Sequence, residues 1–174
     1  MTILEYQIEK MGSYINNLIA GGENQGLDFK FEIKDYKKIS RTLSAFSNTD
    51  GGILLIGVKD NGVISGIRSD EELHMIKGAA ELYCKPPIKP TIQDWNINGK
   101  VVLEIKIAKS VSRPVYGKDE KNRWRTYVRI SDQNFRLTKY LSVAGAENKE
   151  EREHTLNFQS LKKYLWIISV SIRK

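Results

Sequence analysis

The chain has 174 residues, 28 Lys and Arg against 21 Asp and Glu, two His and one Cys, for a formal net charge of +7. That length fits one domain, or one domain with a short appendage, that can bury roughly 70% of its unfolded surface without disulfides or a structural metal. The lone Cys84 excludes an intramolecular bridge, no Cys/His set has zinc spacing, and the N-terminal MTILEYQIEK carries charge in every turn instead of a secretory h-region.

From the N-terminus, Ile3, Leu4, Ile8, Met11, Ile15, Leu18 and Ile19 recur at helical spacing, with Thr2 and Glu5 as a capping box. They predict an amphipathic helix over residues 1–20, stopped by Gly21-Gly22. Leu27, Phe29, Phe31 and Ile33 then alternate with Asp28, Lys30 and Glu32, the period of a half-buried strand. Asp35 caps a helix whose Ile39, Leu43 and Phe46 share a stripe, and Asn48 to Gly52 ends it. The run Ile53 to Val58 is apolar throughout and reads as a central strand covered on both faces. Asp60-Asn61-Gly62 turns it into a short partner, Val63 to Ile67.

Ser69 and Glu72 are spaced as a second capping box, opening a helix that ends by Pro86-Pro87. Two strands follow, Ile88 to Ile97 and Lys100 to Ala108, joined by the hairpin dipeptide Asn98-Gly99. Arg123 to Ile130 is a further strand in which Arg123, Arg125, Tyr127 and Arg129 share one face, read here as solvated, and Trp124, Thr126, Val128 and Ile130 share the other. Beyond Leu137 the pattern weakens into a Glu- and Lys-rich stretch and a segment, Leu156 to Ile172, that fits helix or strand. The expected architecture is α+β, a mixed β-sheet with helices packed on it and a hairpin-rich second half. Its parts are an N-terminal helix (1–20), a domain over 21–136 and a tail over 137–174 that would serve as a docking element or homodimer arm.

The positive charge is concentrated. Between Lys109 and Lys139 there are nine basic residues against three acidic ones. With pI near 9.4, this points to a polyanionic partner, nucleic acid first. Guanidiniums and a phenol on an exposed strand face can neutralise phosphates and stack on bases. Tyr164 to Ile172, the longest uncharged apolar stretch, is too short to span a bilayer, so a cytoplasmic protein without a membrane partner is expected. Gly21 to Gly26 has the spacing of a phosphate loop, but Leu27-Asp28 stand where Lys and Ser/Thr are needed, which leaves ATP binding unsupported. His74, His154 and Cys84 have no nucleophile or base beside them in sequence and are read as structural or solvent-exposed.

Two blocks carry a more specific signal. Glu23 to Lys30 (ENQGLDFK) and Ala45 to Gly62 (AFSNTDGGILLIGVKDNG) resemble the Schlafen AlbA-type domain family, whose pattern is E-S-x-x-x-E-F-K followed by A-F-A-N-T-x-G-G-x-L-x-I-G-V-x-D-x-G. Pro86-Pro87-Ile88, Gly99 to Val102, Arg113 to Tyr116 and Tyr127 to Arg129 are similar to the family's second half, so the resemblance covers about Gly21 to Phe135. It implies a DNA-binding or transcription-regulating domain, sometimes described with ATP binding. It implies alternatively, from some animal relatives, an endoribonuclease that cuts tRNA and rRNA with three carboxylates and Mg²⁺ or Mn²⁺. Carried over by position, those carboxylates are Glu23, Asp28 and Asp60. Asp28 stands where the family commonly has Glu, and Lys59 replaces an acidic residue often found beside Asp60.

Parallel strands joined by a simple crossover would put the start of the first and the end of the second roughly 20 Å apart, at ~3.3 Å per residue, too far to share an ion. The reading placed first is therefore a binder that requires no cofactor, holding DNA or RNA through Lys30, Arg113, Arg123, Arg125, Tyr127 and Arg129. The turn Asn48, Asp50, Gly51 and Gly52 is a helix stop and strand entry that can also present backbone N–H groups to a phosphate.

Overall fold

The computed structural model describes residues 13–137. The start of the first helix, His154, and the tail with its docking or dimer role lie outside the described residues.

Helix α1 (residues 13–20) precedes strand β1 (Leu27–Lys30), helix α2 (Tyr36–Asn48) and strand β2 (Gly52–Ile56). Helix α3 (Glu71–Leu82) follows, then β3 (Cys84–Lys85), β4 (Thr91–Ile97), β5 (Lys100–Ile107), β6 (Tyr116–Lys118), β7 (Trp124–Ile130) and β8 (Gln133–Arg136). They form two four-stranded sheets, one ordered β1-β2-β5-β4 and one ordered β3-β6-β7-β8, so the fold is α+β as expected. In the first sheet β1 and β2 are parallel, with Asp28 opposite Leu54, and the other pairings are antiparallel.

Why β2 is apolar throughout follows from its place. Leu54 and Ile56 face α2 and α3, packing with Leu43, Phe46, Ile76 and Ile105, while Leu55 faces the other way toward Ile15, Leu27, Phe29 and Val102. Each such side chain, fully withdrawn from water, contributes about 1.5–3 kcal/mol. On the α1 face one buried charge interrupts the apolar layer. Glu104 accepts hydrogen bonds from Tyr14 Oη at 2.6 Å and Trp95 Nε1 at 3.0 Å, and pairs with Lys106 Nζ at 3.3 Å.

Helix α2 lies between the sheets, with every residue from Ile39 to Asn48 buried except the half-buried Arg41. Asp35 caps it as expected, its side chain accepting from Lys37 N at 2.7 Å. Its apolar stripe meets the first sheet, whereas small polar residues meet the second. Ser44 Oγ donates to Val115 O at 2.8 Å, and Thr42 Oγ1 accepts from Asn134 Nδ2 at 2.9 Å. The approach is close enough that a Cβ on Gly117 would come within 2.9 Å of Ser40 O.

Several local expectations change. Asn98 and Gly99 take the positive φ values, 53° and 80°, that an Asn-Gly hairpin needs. Val63 to Ile67 forms only the single bridge Val58–Ile64 instead of a strand. Ser69 does not cap α3. The cap position is Asp70, without a side-chain bond, and Glu72 Oε2 accepts instead from Arg68 N at 2.9 Å. Strand β8 had no sequence signal of its own; it is set by the β7–β8 turn, where Ser131 takes φ 56°.

Candidate functional site

Glu23 and Asp28, two of the three carboxylates, come together. Glu23 Oε1 accepts from Phe29 N at 2.7 Å and so closes the loop onto the start of β1. Burial raises the Glu23 pKa, and the neighbouring Asp28 carboxylate raises it further, against the Phe29 N–H and the Lys30 ammonium. That ammonium is 3.0 Å from Asp28 Oδ2 and 4.0 Å from Glu23 Oε1. On its other side Asp28 meets Arg129 Nη2, 3.2 Å from Oδ1.

Asp60 does not join them. It sits exposed in the turn after β2, where Gly62 N donates to Lys59 O at 2.8 Å. The parallel pairing of β1 with β2 puts Asp60 beyond the same sheet end as Lys30, and these two residues line one groove with Lys34, Asp35 and Lys38. Among the described residues no three His, Cys, Asp or Glu side chains group as metal ligands. The two carboxylates that do meet already neutralise two side-chain cations, so the site as placed does not fit a three-carboxylate Mg²⁺ or Mn²⁺ centre.

The basic strand corrects the sequence reading more sharply. The face of β7 carrying Tyr127 and Arg129 is not solvated; it is turned onto α2, with Arg125 part-exposed at its edge. Arg129 is 1% exposed. Its Nη2 donates to Leu27 O at 3.0 Å and Asn24 O at 3.1 Å, its Nη1 to Asn134 Oδ1 at 3.2 Å, and its guanidinium lies 4.9 Å from the Phe46 ring centre. Tyr127 is buried beneath Arg41, whose guanidinium is 5.9 Å from the ring centre. Alternation told which residues share a face but not which face turns inward, because Arg and Tyr seemed the residues for water. The physical reason is the polar face of α2 together with the carbonyls of the Asn24–Leu27 loop, whose second lone pairs a planar, multiply donating guanidinium can engage.

At the outer end of the strand the cations are accessible. Arg123 keeps about half its side chain exposed while its Nε and Nη2 contact Asp119 Oδ2 at 2.9 and 2.8 Å. Arg125 Nε is 3.5 Å from the same oxygen. Burial works to raise the Asp119 pKa, but the Arg123 and Lys121 N–H groups and the Arg123 guanidinium outweigh it and hold the carboxyl at about 2. Arg113 is half-buried beside Pro114. Lys30 is partly exposed but engaged with Asp28.

The Asn48–Gly52 turn is a joint between layers. Asn48 Nδ2 donates to Val115 O and Tyr127 O, both at 2.8 Å, and Oδ1 accepts from Val115 N at 2.7 Å, which ties α2 to the second sheet. Gly51 has φ 80°, and a Cβ there would lie 2.6 Å from Ile107 O; on Gly52 it would lie 2.3 Å from the Phe46 ring. The Gly51 N–H is already given to Phe46 O at 2.9 Å. Asp50 is exposed and pairs with Lys109 Nζ at 2.7 Å. Cys84 is buried, which pushes its thiol pKa up to about 12 and keeps it protonated.

Comparison with known proteins agrees with this layout. The Schlafen, AlbA_2 family model matches residues 23–138. Among solved structures, the N-terminal domain of a RecG-related protein of Nitrosomonas europaea, named as an ATP-dependent DNA helicase, superposes with TM-score 0.50 at 20% identity over 82% of this chain and 98% of that one. The DIP2311 protein of Corynebacterium diphtheriae gives TM-score 0.51 at 18% identity over 78% of this chain, which spans only 27% of that protein. These similarities concern the fold.

Proposed function

Since the chain belongs to the Schlafen AlbA_2 family, we propose that it is a nucleic-acid-binding domain that holds the phosphate backbone by charge, in a transcription-regulating role. The observation that carries this reading is the excess of basic over acidic residues between Lys109 and Lys139, eight to three once the interior Arg129 is set aside, with Lys121 and Arg123 exposed at the β6–β7 turn. The name of the neighbour, the N-terminal domain of an ATP-dependent DNA helicase RecG-related protein, is in keeping with it. The accessible side chains are lysines and arginines, which position a backbone without reading bases, so sequence-independent affinity is expected. Arg129 and Tyr127 drop out of the contact set because they are interior.

Anisotropy titrations with labelled DNA and RNA at two ionic strengths test this. Affinity should fall by orders of magnitude between about 50 and 200 mM salt if six or more phosphates are contacted, and less for fewer. Absence of binding at low salt contradicts the reading. Mn²⁺-stimulated cleavage of tRNA, abolished by Glu23→Ala or Asp60→Ala in a folded protein, would replace it with the nuclease alternative.

A further inference from the structure

The turning of β7 onto α2 has a counterpart on its other face. With Gly117 against Ser40 and Cys84 Sγ donating to Ser40 O at 3.7 Å, the helix side of the second sheet is fixed, and on β3, β6 and the start of β7 the alternate residues point outward, while Val128 farther along β7 is buried. In register they make two cross-strand rows. Lys118 is opposite Trp124, and its backbone N–H donates to Tyr83 O at 3.1 Å; beside that row, Lys85 and Thr126 flank Tyr116.

The first row is a ladder of rings around a cation. The Lys118 ammonium lies 5.0 Å from the Tyr83 ring centre and 5.0 Å from that of Trp124. Tyr83 in turn stacks on Tyr36, 5.2 Å between centres and 15° between planes. Trp124, Tyr116 and Tyr36 each keep 37% of their surface exposed. No carboxylate stands on either row; nearby Asp119 is engaged by Arg123 and Arg125, and Glu120 by Arg41.

We propose that this outer face of the second sheet is a stacking platform for single-stranded nucleic acid, with Trp124 and Tyr116 receiving bases and Lys85 and Lys118 the phosphates between them. The proposal rests on the nucleic-acid reading above and narrows it. Charge complementarity selects a polyanion, and ring faces select one whose bases are unpaired, since a duplex keeps its π faces inside its own stack. Part-exposed rings on a sheet, without a protruding helix to enter a groove, suit a strand laid across them.

The test compares an unstructured oligonucleotide of about 12 nucleotides, within the range one small domain covers, with a duplex of the same length. The single strand should bind more tightly, quench tryptophan fluorescence in the native chain, and lose about tenfold in affinity in Trp124→Ala. Trp124→Phe keeps a ring, so affinity should hold within a few-fold while the quenching disappears. A ribo-oligonucleotide should bind alike, because stacking does not use the 2′-hydroxyl. Thermal melts of both variants report that the fold is kept. Equal binding of single strand and duplex, with Trp124→Ala without effect, overturns the platform and leaves the general binding reading standing. No binding of any of the three at low salt overturns both.

Discussion

The interior and the rim of the second sheet put similar residues to opposite uses. Inward, Arg129 is withdrawn from water, and its guanidinium links the Asn24–Leu27 loop, Asp28 and Asn134, so the cation is part of the core. At the outer end, Arg123 and Lys118 keep contact with solvent and lean on a carboxylate or on rings. A run of positive charge in sequence is therefore not one surface. A guanidinium inside the fold is held by fixed acceptors and has no charge left for a ligand, whereas one at the rim is screened and available.

Removing the inward cation should have the largest effect. Arg129→Met takes the guanidinium from Asp28, which keeps Lys30, and from two loop carbonyls, which keep their backbone N–H partners, so a loss of about 3 kcal/mol in urea unfolding is expected, the lower end for a broken buried pair. A loss below about 1 kcal/mol, the level of an exposed ion pair, would dissolve the distinction between interior and rim. Asn48→Ala comes next. It leaves Val115 N–H without its acceptor and takes the amide donor from Tyr127 O, while Val115 O keeps the Ser44 hydroxyl, which should cost about 1–3 kcal/mol.

The third prediction concerns acid. Asp119 has its folded pKa lowered, so the stability it contributes is present above the unfolded value near 3.8 and is lost as pH falls through the folded value of about 2. Asp119→Asn should therefore flatten the stability profile between those two values and leave Arg123 more mobile. A profile unchanged by the substitution removes Asp119 as the anchor of the rim. Arg123→Gln and Lys118→Gln should be the mildest, within about 0.5 kcal/mol of the parent in stability, since both side chains are at the surface. Their effect belongs to binding.

Much of the first sheet was legible in the sequence because its signals are local. The unbroken apolar run of β2, the Asp35 cap and the Asn98-Gly99 turn each name their own structure, and period two located β1, although the strand stops at Lys30 and Asp28 on its charged side is buried. The second sheet was not legible to the same degree. Its place is fixed by Thr42, Ser44 and Asn48 of α2, small polar residues whose partners are more than 60 positions away. The approach of Glu23 to Asp28 was visible through the family pattern. That Lys30 and Arg129 would occupy the space around Asp28 was not, because the loop carbonyls that hold Arg129 leave no mark in a list of side chains. The aromatic row was missed for a related reason. Tyr83, Lys118 and Trp124 are scattered in sequence and meet only through strand pairing.

The central claim is that the accessible cations of the second sheet, not the interior ones, grip a polyanion. The slope of log affinity against log salt for a single-stranded oligonucleotide tests it most directly, in the native chain and in the Lys118→Gln/Arg123→Gln double variant. The account predicts a steep native slope that shrinks by about 0.7 for each phosphate contact removed, with the melting temperature nearly unchanged. An identical slope in the two proteins, or native binding indifferent to salt, would contradict it.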